Sequence, residues 1–340
     1  MTSLTSSATP PSPGGLFMIG LPGPELDDST RDLIARERVN DFMLFKRNVV
    51  DPSQLGRLTD ALTRSCRAVG LGSPLIAIDQ EGGTVARLGE PFFTTFPDAR
   101  VLAEGPAPEA ALGGYAETCA RELLGVGINM NMSPVLDLCP AGQGYYMERR
   151  VLGHDPAVVA RLGRLLIEKM QAGGLAACGK HFPGLGLARL DPHREISAIE
   201  RRREELVQDE LTPFKAAIAA GVAAIMTSHT VYPALDPERP ATLSPLILDE
   251  LLRRRLGFAG VIVTDDLEMG AIERQGGVPE AALAAFKAGA DQLLICQDHD
   301  KIRAALARFK PALDRGEITP ARLGQSLQRL ALMRQTFGLA

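Results

Sequence analysis

Short apolar runs alternate with longer amphipathic stretches along the whole chain, and this alternation predicts its elements. Residues 16–21 (LFMIGL) are an apolar run closed by Pro-Gly, and residues 28–39 follow as a capped, charged amphipathic segment, so the pair reads as a strand and a helix. The pattern then repeats. Residues 41–46 (DFMLFK) read as a second strand, and Asp51-Pro52 supplies an N-cap with proline in the first turn of a helix to about residue 69. Further strands are expected at 75–78, 128–138, 175–180, 223–228, 260–264 and 292–296. Helices are expected between them at about 108–124, 155–173, 199–220, 244–256 and 279–288, and a segment at 301–309 with a last helix from Thr319-Pro320 finishes the chain.

Eight strands, each followed by a helix, fit an α/β fold of one kind, a single (β/α)8 TIM-type barrel over residues 16–340. A doubly wound open sheet is the alternative. No break in composition within 16–340 marks a domain linker. Residues 1–15 are rich in Ser, Thr and Pro and lack both a basic segment and an apolar run, so they read as a disordered tail and not as a secretion signal.

Composition narrows the picture. The chain has no Trp and only 5% aromatic residues, which predicts an aliphatic interior of the kind that parallel strands bury under helices. A net charge of -4 gives no reason to expect nucleic acid or an anionic membrane as partner. No stretch approaches the roughly 18 apolar residues of a membrane span. The five cysteines are odd in number, widely spread and without a CxxC pair, so they read as reduced thiols of a cytoplasmic protein.

The candidate chemistry concentrates in GKHFPGLGLARLDPH (179–193), where an apolar strand breaks into a Gly/Pro loop with two histidines, a lysine, an arginine and an aspartate. Asp191 and His193 stand two apart. A bent loop would bring the carboxylate to one ring nitrogen and leave the other facing a substrate, giving a tuned general acid/base. The alternative is an Asp capping a loop amide beside an exposed His. Elsewhere Asp79, Asp137, Lys180, His181, His229 and Asp265 all close predicted strands, so the polar groups are expected at one end of the barrel, where barrel enzymes keep their sites.

Three patterns carry no function. GLAACGK (174–180) matches the start of a phosphate-binding loop, but His181 stands in place of Ser or Thr and the glycines bracket a strand. Asn131-Met132-Ser133 is a formal glycosylation sequon inside a predicted buried strand. The histidines lack the close spacing of metal ligands.

IAIDQEGGTVAR (76–87), GINMNMSPVLDL (127–138), KHFPGLG with DPH (180–193), IMTSHTVYPALDPERPATLS (225–244) and GVIVTDDLEMGAI (260–272) resemble, in this order, the motifs of glycoside hydrolase family 3. Within it they resemble the short single-domain bacterial β-N-acetylglucosaminidases (β-N-acetylhexosaminidases) of peptidoglycan recycling. The resemblance implies a (β/α)8 barrel, no metal or organic cofactor, and hydrolysis of terminal β-linked N-acetylglucosamine with retained configuration, on a small glycan or muropeptide, by a monomer. It makes Asp265 similar in position to the catalytic nucleophile, His193 the general acid/base and Asp191 its partner. Asp79, Arg87, Arg150, Lys180 and His181 match positions that bind the sugar hydroxyls. Asp266 is expected to cap the helix that follows. Two positions differ from the family pattern: Leu185 stands where a second histidine is usual, and Pro192 where serine is common. The readings set against this one are a family 3 β-glycosidase or phosphorylase of other sugar specificity, and a non-catalytic glycan-binding barrel.

Overall fold

A computed structural model describes residues 12–188, 197–273 and 276–339. Eight parallel strands form one sheet: β1 (Phe17–Gly20), β2 (Asp41–Leu44), β3 (Leu75–Ile78), β4 (Met130–Asn131), β5 (Ala176–Phe182), β6 (Ala224–Thr227), β7 (Val261–Val263) and β8 (Leu293–Ile295). They pair in the order 7-6-5-4-3-2-1-8. The ends of that order meet through a parallel bridge between Val263 and Gln292, and the Leu267 N–H donates to the Leu294 carbonyl at 2.9 Å. The sheet is therefore a nearly closed (β/α)8 barrel, and the open-sheet alternative falls.

Alternation along the strands divides the core in two. Phe17, Ile19, Phe42, Leu44, Ile76 and Ile78 point outward under the helices, while Met18, Met43, Leu75 and Ala77 point into the barrel with Met130, Cys178, Met226, Val261 and Leu294. Methionines, alanines and Cys178 thus share the lumen with the branched Leu75, Val261 and Leu294. Helix starts follow their caps. Asp51, Asp155 and Thr319 each accept a backbone N–H at the heads of Pro52–Ala68, Pro156–Ala172 and Pro320–Thr336.

Several expectations are corrected. The strand expected over 128–138 pairs as a regular strand only at Met130–Asn131, with one later bridge from Val135 to Lys180. Buried amide side chains replace the ladder: the Asn129 Oδ1 accepts from the Ile76 N–H at 2.9 Å, and Asn131 exchanges two bonds of 3.0 Å with the Gln80 backbone. Pro134 also lacks a donor. The helix expected from 199 starts at Arg203, because the Ile199 N–H is already given to the Val231 carbonyl at 3.0 Å. Residues 12–15, read as part of the tail, are placed: Pro13–Leu16 is a 3-10 turn with Gly14 buried against the Glu37 backbone.

Buried charge is not confined to one end. At the amino end of the barrel, Asp291 is fully buried and accepts from Arg329 at 2.9 Å, from Ser326 at 2.6 Å and from the Ile262 N–H at 3.1 Å, with Arg253 and Arg322 also paired to it. Asp41 is held by Arg334 and by Gln292. Four of these cationic and hydroxyl groups, Arg322, Ser326, Arg329 and Arg334, come from the helix Pro320–Thr336, which closes this end with Leu330 and Met333. Among the described residues no helix is long and apolar enough to cross a membrane.

Removing one partner of a buried ion cluster leaves the others uncompensated, which costs about 3–5 kcal/mol. Asp291→Ala is expected to lose about that much in urea unfolding, and a loss below about 1 kcal/mol would show that the three arginines find solvent instead.

Candidate active site

At the carboxyl end, β3 does not pass directly into a helix. It runs on as a hairpin of Gln80–Gly82 and Val85–Ala86, turned at Gly83, whose φ of +55° and closeness to Asp98 leave no room for a side chain. The two-residue period of this extended backbone sends Asp79 and Glu81 to one side and Gln80 to the other. Gln80 locks the hairpin, its Oε1 accepting from the Arg87 and Leu88 N–H groups at 2.9 and 3.0 Å.

Lys180, from β5, has only 2% of its side chain exposed and is held between the two carboxylates, its Nζ 2.8 Å from Asp79 Oδ1 and 2.6 Å from Glu81 Oε1. Arg150, from the irregular segment before the helix Pro156–Ala172, takes both Glu81 oxygens, Nη2 to Oε1 at 2.7 Å and Nε to Oε2 at 2.9 Å. Arg87 donates to Asp79 Oδ2 at 3.0 Å. Burial alone would raise both carboxyl groups, but the neighbouring cations outweigh it. Lys180 and then Arg87 hold Asp79 well below the usual carboxylate range. Arg150 and then Lys180 bring Glu81 down to about 2. Lys180, which burial would discharge, is raised instead by Asp79 and Glu81.

His181 follows on the same strand. Its Nδ1 lies 2.8 Å from Asp137 Oδ2, and Asp137 Oδ1 accepts from the His181 and Leu185 N–H groups at 3.0 and 2.7 Å. The fully buried Asp137 therefore orients the imidazole and ties down the start of the glycine loop. Beneath that loop lies Glu210, its side chain 3% exposed and 3.5 Å from Arg201. Its Oε2 has no hydrogen-bond partner among the described residues, and Gly184, at φ +137°, leaves it space that a side chain would take.

Across the barrel, β7 delivers Asp265, half-buried, with its Oδ1 accepting from the Asp266 N–H at 2.8 Å. Asp266 is expected from the sequence to cap the next helix, which starts at Gly270; its Oδ1 instead accepts from the Glu268 N–H at 3.1 Å in the turn before it, and the residue also faces the cavity. Burial, then the charges of Glu268 and Asp265, push its carboxyl up to about 7. His229 is buried below this turn and braces it, with Nε2 donating to the Asp266 carbonyl at 2.9 Å and Nδ1 2.7 Å from the Thr242 hydroxyl.

These groups surround one cavity of about 210 Å³ at the carboxyl rim. Asp79, Arg87, Arg150, Lys180 and His181 line it on one side and Asp265 on the other, while Met226, Met269 and Leu294 give an apolar floor. Leu185, in the position of the family's second histidine, is buried and reaches the cavity wall. Asp191 and His193 lie outside the described residues, as does Pro192. Sequence reasoning missed Glu81, Glu210 and the cavity-facing Tyr146. For Glu81 a signal existed, because it stands two residues after Asp79 in an extended stretch. For the other two, nothing local marked them.

A mixed carboxylate and cation pocket at the carboxyl rim defines a (β/α)8-barrel enzyme. The family model for the glycosyl hydrolase family 3 N-terminal domain matches residues 14–333. The chain belongs to this family and is a glycoside hydrolase. It is 38% identical over 297 residues to a β-hexosaminidase of Alkalilimnicola ehrlichii, covering 86% of this chain and 83% of that one. It is 34% identical over 333 residues to a β-hexosaminidase of Nitrosomonas eutropha, covering 94% and 92%. Among solved structures, it superimposes with a TM-score of 0.92 and 37% identity on a family 3 β-N-acetylglucosaminidase from Paenibacillus sp. FPU-7, over 96% of this chain but only 62% of that longer one. A β-N-acetylhexosaminidase from Beutenbergia cavernae matches with a TM-score of 0.86 and 30% identity, over 94% and 96% of the two chains.

Burial, opposed by Arg201 and reinforced by Asp137, pushes Glu210 from its ordinary 4.5 up to about 7. The folded protein then binds a proton that the unfolded chain has released, so stability falls as pH rises from about 4.5 to about 7. Glu210→Gln is expected to remove about 2–3 kcal/mol of that fall in denaturant unfolding measured across the same window. An unchanged pH dependence would mean that Glu210 is ionised in the folded state.

Proposed function

We propose that this chain is a retaining exo-β-N-acetylhexosaminidase that releases terminal, non-reducing β-linked N-acetylglucosamine from peptidoglycan fragments in the cytoplasm. The observation that carries the reading is the placement of Asp265 across one cavity from the Asp79, Lys180, Arg150 and Arg87 network. The names of the relatives support the sugar, and the motif resemblance supports the peptidoglycan fragment. The buried, unpaired state of Cys66, Cys119, Cys139, Cys178 and Cys296 fits a reducing compartment.

In this reading Lys180, Arg87 and Arg150 hold the sugar hydroxyls through donors not taken up by Asp79 and Glu81, and Asp79 accepts from them. The Asp265 carboxylate attacks the anomeric carbon, forming a C1–O ester as the glycosidic C1–O bond breaks. His193, paired with Asp191, gives its proton to the departing oxygen. A water molecule then attacks the same carbon, His193 takes its proton, and the ester to Asp265 breaks. Two inversions give net retention, and the intermediate divides one difficult displacement into two.

Release of 4-nitrophenol from the N-acetyl-β-D-glucosaminide, with none from the β-glucoside and no need for phosphate, is the expected result. A requirement for phosphate would make the enzyme a phosphorylase. No release from either sugar would leave a family 3 enzyme of altered specificity or a glycan-binding barrel. Asp265→Ala should be inactive on every substrate. His193→Ala should lose about 10² to 10⁴ on a natural poor leaving group and far less on the nitrophenyl substrate, which leaves without a proton. Equal losses on both would remove His193 from the acid role.

A further inference from the structure

Behind the cavity wall stands a carboxylate to which neither the family motifs nor the reaction assigns a role. Glu81 does not line the cavity itself, yet both its oxygens are engaged by groups that do. We infer that Glu81 is a positioning residue of the sugar site, which decides the donors that Arg150 and Lys180 present to the substrate. This inference rests on the hexosaminidase reading of the pocket.

The geometry gives the reason. A guanidinium carries five N–H donors in a rigid plane. Glu81 takes Nε and Nη2 as a fork, and Nη1 lies 3.4 Å from Met147 Sδ, so the orientation of Arg150 about its own axis is set by Glu81. An ammonium has three donors. Asp79 and Glu81 fix the direction of two on Lys180, which leaves the third defined. Oε1 of Glu81 is shared by Lys180 and Arg150, and is the anion that lets two cations sit side by side out of water. With a neutral group in its place, Asp79 alone would have to compensate Lys180, and the lysine would release its proton more easily.

The test is the binding of N-acetylglucosamine by calorimetry to the wild type, Glu81→Gln and Glu81→Asp, from about pH 6 to about pH 10, a window that ends below the titration of the raised wild-type Lys180. Binding needs no acid/base step, so loss of His193 protonation does not enter. Glu81→Gln is expected to bind at least about tenfold more weakly than the wild type at neutral pH, the loss of one charge-assisted bond. Its affinity should also fall away inside this window, while the wild type and Glu81→Asp, which keep the charge, hold theirs to its end. Wild-type affinity in Glu81→Gln, or the same pH displacement in both variants, overturns the inference. Should Glu81→Gln lose its cooperative melt, Glu81→Asp decides: affinity held across the window supports the role and a fall inside it overturns it. A wild type that neither binds N-acetylglucosamine nor cleaves its aryl glycoside overturns the hexosaminidase reading, and this inference with it.

Discussion

A lysine taken out of water has to be given its counter-charge by the protein, and Lys180 is the residue around which the carboxyl end of this barrel is arranged. One carboxylate would neutralise it. Two leave room for further cations, and Arg87 and Arg150 take that room. The five groups bind together β3, the hairpin after it, β5 and the segment that carries Arg150. A substrate with several hydroxyls then meets donors and acceptors that are already in place, with the ordering entropy spent in folding and not in binding.

The two ends of the barrel use the same residue types for different purposes. At the amino end, Asp291 and Asp41 are fully buried and, Arg253 apart, their arginines come from the last helix, so the charges act as a clamp between helix and sheet. At the carboxyl end, the charges border a cavity and keep donors unspent. Composition does not separate the two. What separates them is the helix Pro320–Thr336, which lies over one end only.

The glycine loop is built on two buried carboxylates with opposite habits. Asp137 has three donors and stays an anchor for His181 and Leu185, whereas Glu210 has one oxygen without a partner among the described residues and a weakly placed arginine. The backbone between them, from Pro183 to Ala188, leads toward Asp191 and His193. Leu185 suits this arrangement, because its N–H does the anchoring and its side chain only packs.

Much of this was legible in the chain as written. The order of strands and helices, the capped helix starts at Asp51, Asp155 and Thr319, and the gathering of Asp79, Lys180, His181 and Asp265 at strand ends all follow from patterns a few residues long, because hydrophobic period and end-capping are local properties. The tertiary structure alone decided the rest. Lys180 meets Asp79 across 101 residues of sequence, Arg150 meets Glu81 across 69, and Arg334 meets Asp41 across 293. The side chains of Asn129 and Asn131 bond to the backbone of β3 and of the hairpin after it, beside a strand that is shorter than its alternating apolar and polar pattern. Such pairings depend on which strand ends the closed barrel sets side by side, and no local pattern carries that information, whereas the identity of each strand was carried by its own side chains.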